Sequence, residues 1–202
     1  MISVVIPCYN VSEAILSVID DIPDCVSKIW VIDDCCPENS GQKVIKSSKD
    51  SRVEVIFHET NQGVGGAVIT GLNLAISQNY DFVVKIDGDG QMPPSLITKF
   101  ITPLEQGKAD YTKGNRFYNI EDVLTMPTAR LIGNGVLSFL SKFSTGYWDI
   151  FDPTNGYVAI NIKAARMLPF EKIDKRFFFE SDLLFRLSTI KAVVLDIPMT
   201  AI

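Results

Sequence analysis

The sequence predicts an α/β fold, a mostly parallel central sheet flanked by helices on both faces. Four short runs carry this: Ile2-Ser3-Val4-Val5-Ile6, Ile29-Trp30-Val31-Ile32, Val53-Glu54-Val55-Ile56-Phe57 and Phe82-Val83-Val84-Lys85-Ile86. They are rich in β-branched residues and nearly continuous in apolar character, as strands buried on two faces are. Helical apolar patterns stand between them, and each run ends in a polar tip. Strands that alternate with helices run parallel, and such sheets bind ligands beyond the carboxyl ends of their strands.

Taken in order, residues 2–6 stop at Pro7-Cys8-Tyr9-Asn10, and Ser12 with Glu13 opens a helical pattern through Ile15, Leu16, Val18 and Ile19. The second run ends in Asp33-Asp34, and a helix through Val44 and Ile45 leads to the third. Asn61-Gln62-Gly63-Val64-Gly65-Gly66 then precedes apolar positions 64, 68, 72 and 76, the spacing of one helix face. This glycine-rich stretch lacks the Gly-Lys-Ser/Thr of a P-loop, and a dinucleotide fingerprint would follow the first strand instead. Close helix–sheet packing, or helix amides facing a phosphate, accounts for the glycines. If the strands are parallel, residues 7–10, 33–34, 61–66 and 87–91 lie along one edge and form one shared site.

With 202 residues and 47% hydrophobic content, the chain can bury one sizeable core, and a single domain over 1–202 is expected. A net charge of -5 argues against a protein that binds nucleic acid through a basic surface. Met1 leads directly into a strand-like run without a signal peptide, and no apolar run reaches the roughly 18 residues of a membrane span. A soluble, cytoplasmic chain is the expectation. Its end, soon after the strand-like 192–197, suggests a membrane-associated tail beyond residue 202, at the inner face of the cell membrane. Cys8, Cys25, Cys35 and Cys36 form no C-x-x-C pair, and His58 is the single histidine. Shielded, reduced thiols are expected rather than a zinc site.

The other elements are arranged around Asp87-Gly88-Asp89-Gly90-Gln91. Two carboxylates separated by glycine at a strand tip supply hard oxygen ligands, and Mg²⁺ or Mn²⁺ is commonly held by one or two carboxylates completed by substrate phosphates. Read alone, the pentapeptide also fits a polar strand-to-helix turn, with Pro93-Pro94 opening the next helix.

Val4-Val5-Ile6-Pro7-Cys8-Tyr9-Asn10, Val31-Ile32-Asp33-Asp34, Asn61-Gln62-Gly63-Val64-Gly65 and the D-x-D-x-Q segment resemble, in order and spacing, the inverting family 2 glycosyltransferases of GT-A fold. Within that family they are similar to the polyprenyl-phosphate and dolichyl-phosphate hexosyltransferases, over about residues 2–190. The resemblance implies a nucleotide-sugar-binding half, about 1–115, and an acceptor-side half, about 116–202. It also implies Mg²⁺ or Mn²⁺, a UDP- or GDP-linked sugar donor, a lipid-phosphate or glycan acceptor and a membrane surface as partners. Pro7 and Tyr9 would line the nucleotide pocket, with the tyrosine against the base, and Asp34 and Asp33 would bind the base or ribose. Asn10, Asn61, Gly63, Asp87 and Gly88 would complete the donor site. Asp87, Asp89 and Gln91 would surround the metal and the diphosphate. Val11 stands where phosphate-acceptor relatives often carry glutamate, which leaves the nucleotide open.

In the second half, the strand-like 108–115 runs into Arg116, which resembles the arginine of the family's Gly-x-Arg and would meet phosphate. Arg130, Asn134 and Asn155 would face the acceptor; both arginines also fit solvated surface charges. Asp152-Pro153-Thr154-Asn155-Gly156-Tyr157 resembles the family's D-x-x-x-G-[FY] segment, ahead of a strand at 158–160. In sugar-acceptor members an acidic residue near Phe177-Phe178-Phe179-Glu180-Ser181-Asp182 serves as general base, a role for Asp182 or Glu180; Ser181 or Asp182 could equally cap the following helix. The implied activity is metal-dependent, inverting hexose transfer in cell-surface polysaccharide or glycolipid synthesis. A catalytically silent nucleotide-sugar-binding domain is an alternative. So is a sugar nucleotidyltransferase, although residues 7–10 are not its glycine-rich, basic loop.

Overall fold

The computed structural model describes residues 1–118 and 128–200, without the side chains of 128–132, 134 and 137. The elements are β1 (Ile2–Cys8), α1 (Ile15–Asp20), β2 (Val26–Asp33), α2 (Ser40–Ser47), β3 (Val53–Phe57), α3 (Val64–Ser77), β4 (Phe82–Lys85) and α4 (Ile97–Glu105). They continue as β5 (Tyr111–Asn115), α5 (Thr128–Thr145), β6 (Val158–Asn161), α6 (Ile162–Ala165), α7 (Phe179–Thr189) and β7 (Val194–Pro198).

One sheet takes the order β3-β2-β1-β4-β6-β5-β7. β1 is parallel to β2 and β4, β2 to β3, and β5 to β7, whereas β6 runs against both of its neighbours. The carboxyl ends of β1 to β5 and β7 therefore share one edge. Because β6 is reversed, its start, and with it the segment 152–157, reaches that same edge.

Alternation along each strand sends side chains to two apolar layers, which is why the strands read as nearly continuous apolar runs. Val4, Ile6, Ile29, Val31 and Val84 pack with Ile15, Val44, Ile97 and Phe100, beneath α1, α2 and α4. Val5, Trp30, Val83, Tyr111 and Val158 pack with Val68, Leu72, Leu183 and Leu187, beneath α3 and α7. The glycines of α3 allow a close approach. A Cβ at Gly71 would lie 2.4 Å from Val5 Cγ1, and one at Gly65 2.5 Å from the Phe179 ring. Packing therefore accounts for them. The amides of Gly65 and Gly66 are not left for a phosphate, since both donate to the Lys175 carbonyl at 2.9 and 3.3 Å.

Local starts differ from expectation where tertiary partners compete. α1 begins at Ile15 after Ala14, and the Ser12 hydroxyl donates to Glu38 at 2.8 Å instead of capping it. α7 begins at Phe179, so Ser181 and Asp182 lie inside it and neither is its cap. All four cysteines are free; Cys8 and Cys36 are buried, while Cys25 and Cys35 are exposed, so only two are shielded. Among the described residues no helix is long and apolar enough to cross a membrane.

At the β5–β7 edge, Asp196 Oδ2 accepts from Asn115 Nδ2 at 2.8 Å and from the Phe151 amide at 3.0 Å. Its Oδ1 is buried with no hydrogen-bond partner among the described residues. Burial pushes this carboxyl up to about 6.

Gly71→Ala is expected to lower stability by about 1–3 kcal/mol through overpacking against Val5, read from the urea midpoint. A second expectation concerns pH. The folded chain holds the Asp196 proton more tightly than the unfolded chain, where aspartate titrates near about 3.9. That contribution to stability is complete below about pH 4 and is lost as pH rises through about 6. Asp196→Asn, neutral at every pH, should therefore be more stable relative to wild type at pH 7.5 than at pH 4.5, by the same urea assay.

Candidate active site

The strand tips enclose a cleft of about 300 Å³, lined by Pro7, Cys8, Tyr9, Val11, Asp34, Asn61, Gly63, Val64, Ala67, Asp87, Gly88 and Asp89. β1 delivers Pro7 and Tyr9, β2 delivers Asp34, the turn into α3 delivers Asn61 and Gly63, and β4 delivers the D-x-D. Tyr9 is 46% exposed and lines the cleft. Eight of the residues anticipated at the donor or metal site thus converge: Pro7, Tyr9, Asp34, Asn61, Gly63, Asp87, Gly88 and Asp89.

Three others lie outside the lining. Asp33 is buried, and its carboxylate accepts the amides of Cys36 and Gly41, both at 2.8 Å, so it secures the start of α2. Asn10 has a φ of 55°, and its amide donates to Cys36 Sγ at 3.2 Å. Gln91 is exposed beyond the cleft, and its amide donates to Asp89 Oδ1 at 3.0 Å. Asp34 reaches the cleft but already accepts the Gln62 and Gly63 amides at 2.8 and 2.7 Å. Its Oδ1 also meets His58 Nδ1 at 2.7 Å, and His58 Nε2 meets Thr70 Oγ1 at 2.9 Å. His58 and Asp34 together fix the turn at Gly63, whose φ of 87° suits glycine.

Behind the D-x-D lies a buried network that the sequence barely signals. Neighbours in register point to the same face, and Lys85 pairs with Val158 while Val158 pairs with Lys113, so both lysines face α3 and α7. Lys85 Nζ lies 2.7 Å from Asp87 Oδ1 and 3.9 Å from Glu180 Oε1. Lys113 Nζ donates to the Asn155 carbonyl, and burial pushes this ammonium down to about 8 against the opposing pull of Glu180 and Asp152. The only hint in the sequence is a lysine within each strand-like run.

Arg116 is gripped by Asp152, with Nε–Oδ2 2.8 Å and Nη2–Oδ1 3.0 Å. That carboxylate raises the affinity of the guanidinium for its proton, with Asp87 contributing less. Asn155 is buried; its Nδ2 donates to Asp152 at 3.3 Å and its Oδ1 accepts the Tyr157 amide at 2.9 Å, so it buttresses the loop and lines none of the described cavities. The side chains of Arg130 and Asn134 lie outside the described residues.

Beyond Gly63 and Val64 the cleft opens into a cavity of about 670 Å³ with Thr154, Arg176, Phe177, Phe178, Glu180 and Ser181. Phe178 and Ser181 are shared in turn with an apolar groove of about 470 Å³ between α5 and α7, lined also by Leu140, Phe143, Asp182 and Phe185. The two acidic residues anticipated as bases therefore stand apart. Glu180 faces the middle cavity. Asp182 borders the groove, where its carboxylate accepts from the Asp174 amide at 2.8 Å and from Arg186 Nε at 3.2 Å.

Among the described residues no group of three or more His, Cys, Asp or Glu side chains could by itself hold a metal ion. Asp87 and Asp89 supply hard oxygens to one cleft, a donor set suited to Mg²⁺ or Mn²⁺ completed by ligand phosphates rather than to a closed protein cage.

Residues 3–168 match the family model of glycosyl transferase family 2. The UDP-N-acetylglucosamine--dolichyl-phosphate N-acetylglucosaminyltransferase of Methanococcus voltae is 30% identical, with all of this chain and 86% of the relative covered. An undecaprenyl-phosphate mannosyltransferase of Micrococcus luteus is 26% identical over 97% of this chain and 81% of its own. Among solved structures, the fold is similar to that of glucosyl-3-phosphoglycerate synthase from Mycobacterium tuberculosis, crystallised with Mn²⁺, UDP and phosphoglyceric acid. The TM-score is 0.73 at 21% identity, covering 98% of this chain and 68% of that one. A mostly parallel sheet that gathers its polar tips at one edge, the family match and these relatives together establish that the chain belongs to glycosyl transferase family 2, as a GT-A glycosyltransferase akin to the polyprenyl- and dolichyl-phosphate enzymes.

Proposed function

We propose that this enzyme moves a hexose from a UDP- or GDP-linked donor to a polyprenyl phosphate, with inversion and with Mg²⁺ or Mn²⁺, at the cytoplasmic surface of a membrane. The product would enter cell-surface polysaccharide or glycolipid synthesis. The observation that carries this reading is the continuous trough from the D-x-D cleft, past Glu180 and Arg176, to the apolar groove between α5 and α7. A polar, carboxylate-lined end suits a metal–diphosphate, and an aromatic-lined end suits an isoprenoid chain. Leu140, Phe143 and Phe178, which line the groove, are exposed, Phe143 to 79%. Exposed apolar area of this kind marks a lipid or partner contact. The relatives named for dolichyl and undecaprenyl phosphate support the lipid acceptor.

In this reading Tyr9 stacks on the base, and Asp34, held by His58, keeps the Gln62–Gly63 turn shaped around the donor. Asp87 and Asp89 would hold the cation, which would supply positive charge beside the departing diphosphate. Arg116, fixed by Asp152, orients the phosphate of the acceptor or donor. An oxygen of the acceptor phosphate forms its bond to the anomeric carbon as the bond to the diphosphate breaks on the opposite face. A phosphate is already anionic, so the transfer calls for no general base; for a hydroxyl acceptor Glu180, which lines the middle cavity, would take that role in preference to Asp182.

Asp89→Asn should reduce turnover by about 10²–10³-fold while leaving the thermal melt unchanged. Near-normal turnover in the folded variant would remove Asp89 from the site. Calorimetric titration of UDP and GDP with Mn²⁺ identifies the donor class, with binding expected for one of them and lost in Asp89→Asn. Phe143→Ser is expected to raise KM for a long-chain polyprenyl phosphate by about tenfold, the scale of one buried aromatic side chain, and to leave KM for a short-chain analogue unchanged.

A further inference from the structure

We propose that Lys85 is a built-in counter-cation for Asp87, making divalent-metal binding depend on the diphosphate of the donor. The inference rests on the reading of Asp87 and Asp89 as metal ligands and goes beyond it, because it assigns the order in which the site fills. Lys85 is 4% exposed, and its ammonium stands 2.7 Å from Asp87 Oδ1. The position is set by the sheet, since Lys85 is the last residue of β4 and lies in register between Val5 and Val158. The loop before β6 leaves room for the pair. A Cβ at Gly156 would lie 2.3 Å from Lys85 Nζ and 2.9 Å from Asp87 Oδ2. The other buried lysine on this face, Lys113, is turned to the Asn155 carbonyl.

A buried ammonium is costly to leave without a partner, so Lys85 does not readily surrender Asp87. A divalent cation arriving alone would have to share this carboxylate with a positive charge only a few ångströms away, in a site where repulsion is poorly screened. A nucleoside diphosphate brings its own negative charges and shifts that balance, so metal and donor enter together. Glu180 gives the ammonium a second carboxylate, 3.9 Å away, once Asp87 is engaged. Lys85 thus joins the donor cleft to α7, which lines the remainder of the trough.

The test is Mn²⁺ binding to the full chain, followed by electron paramagnetic resonance of free Mn²⁺, with and without UDP or GDP. Wild type, Lys85→Met and Lys85→Gln are compared after thermal melts have confirmed folding. Gln keeps a hydrogen-bond donor for Asp87, and so serves where Met perturbs the core. Wild type is expected to bind Mn²⁺ at least about tenfold more tightly with its nucleotide than without, and the variants to gain about tenfold or more in nucleotide-free affinity. A lysine with only a structural role would leave that affinity unchanged or lower it, so a gain is diagnostic. Equal or weaker nucleotide-free binding in the folded variants overturns the role of Lys85 while leaving the metal site intact. Absence of Mn²⁺ binding in wild type even with either nucleotide overturns the metal site itself, and the inference with it.

Discussion

Negative charge crowded along one edge of a parallel sheet is the constraint on which the rest of this molecule depends. The topology brings the carboxylates of Asp33, Asp34, Asp87 and Asp89 to the ends of β2 and β4, and the reversed β6 adds Asp152 from the preceding loop. Burying such charges without partners would outweigh the modest net stability of a domain. Those that are wholly or partly buried are each matched by a defined donor set. Asp33 takes two amides of the β2–α2 connection, Asp34 takes the Gln62–Gly63 turn and His58, Asp152 takes Arg116, and Asp87 takes Lys85. Asp89 differs: it is exposed, and its Oδ1 accepts the Gln91 amide.

This division separates carboxylates that shape the cleft from those that can receive a ligand. Asp33 and Asp34 are adjacent in sequence, yet both are engaged in holding backbone, and only Asp34 borders the cleft. On the proposed reading their contribution to binding would pass through the loops they position, because a backbone amide held by a buried carboxylate cannot relax away from its place. Asp87 and Asp89, at the tip of β4, combine one ion-paired and one open carboxylate.

Much of the fold was legible because buried parallel strands advertise themselves: β1, β3 and β4 lie where the apolar runs stood, and the four polar tips lie along one edge. Reversal of β6 was not legible, since a strand of four residues carries no mark of direction. Nor could the sequence distinguish an aspartate left open to the cleft from one that binds backbone, as that depends on partners 24 to 29 residues away in the case of Asp34. Asp182 shows the same limit. Its place in an apparent helix start suggested a cap, and the resemblance a base; the helix begins earlier, so it is no cap, and its carboxylate accepts from the Asp174 amide and Arg186. Lys85 and Lys113 were visible as interruptions in strand-like runs, but their meaning emerged only when register set them on one face.

The helix α7 links these levels. Its first turns carry Glu180 toward Lys85 and the D-x-D cleft, while Ser181, Asp182 and Phe185 border the groove beside α5. On its inner side Phe179 packs so closely on α3 that residue 65 has no room for a Cβ, and the Lys175 carbonyl just ahead of α7 accepts two α3 amides. The start of α3 is the same turn that Asp34 holds through the Gln62 and Gly63 amides, at the wall of the cleft. A shift of α7 would therefore be felt at the turn before α3 through Phe179 and Lys175, and at the D-x-D through Glu180 and Lys85. Interfaces packed this tightly move as units rather than by continuous deformation. Both ends of the trough are thus bound to a common helix, which on the proposed reading would give donor and acceptor a physical route by which each could sense the other.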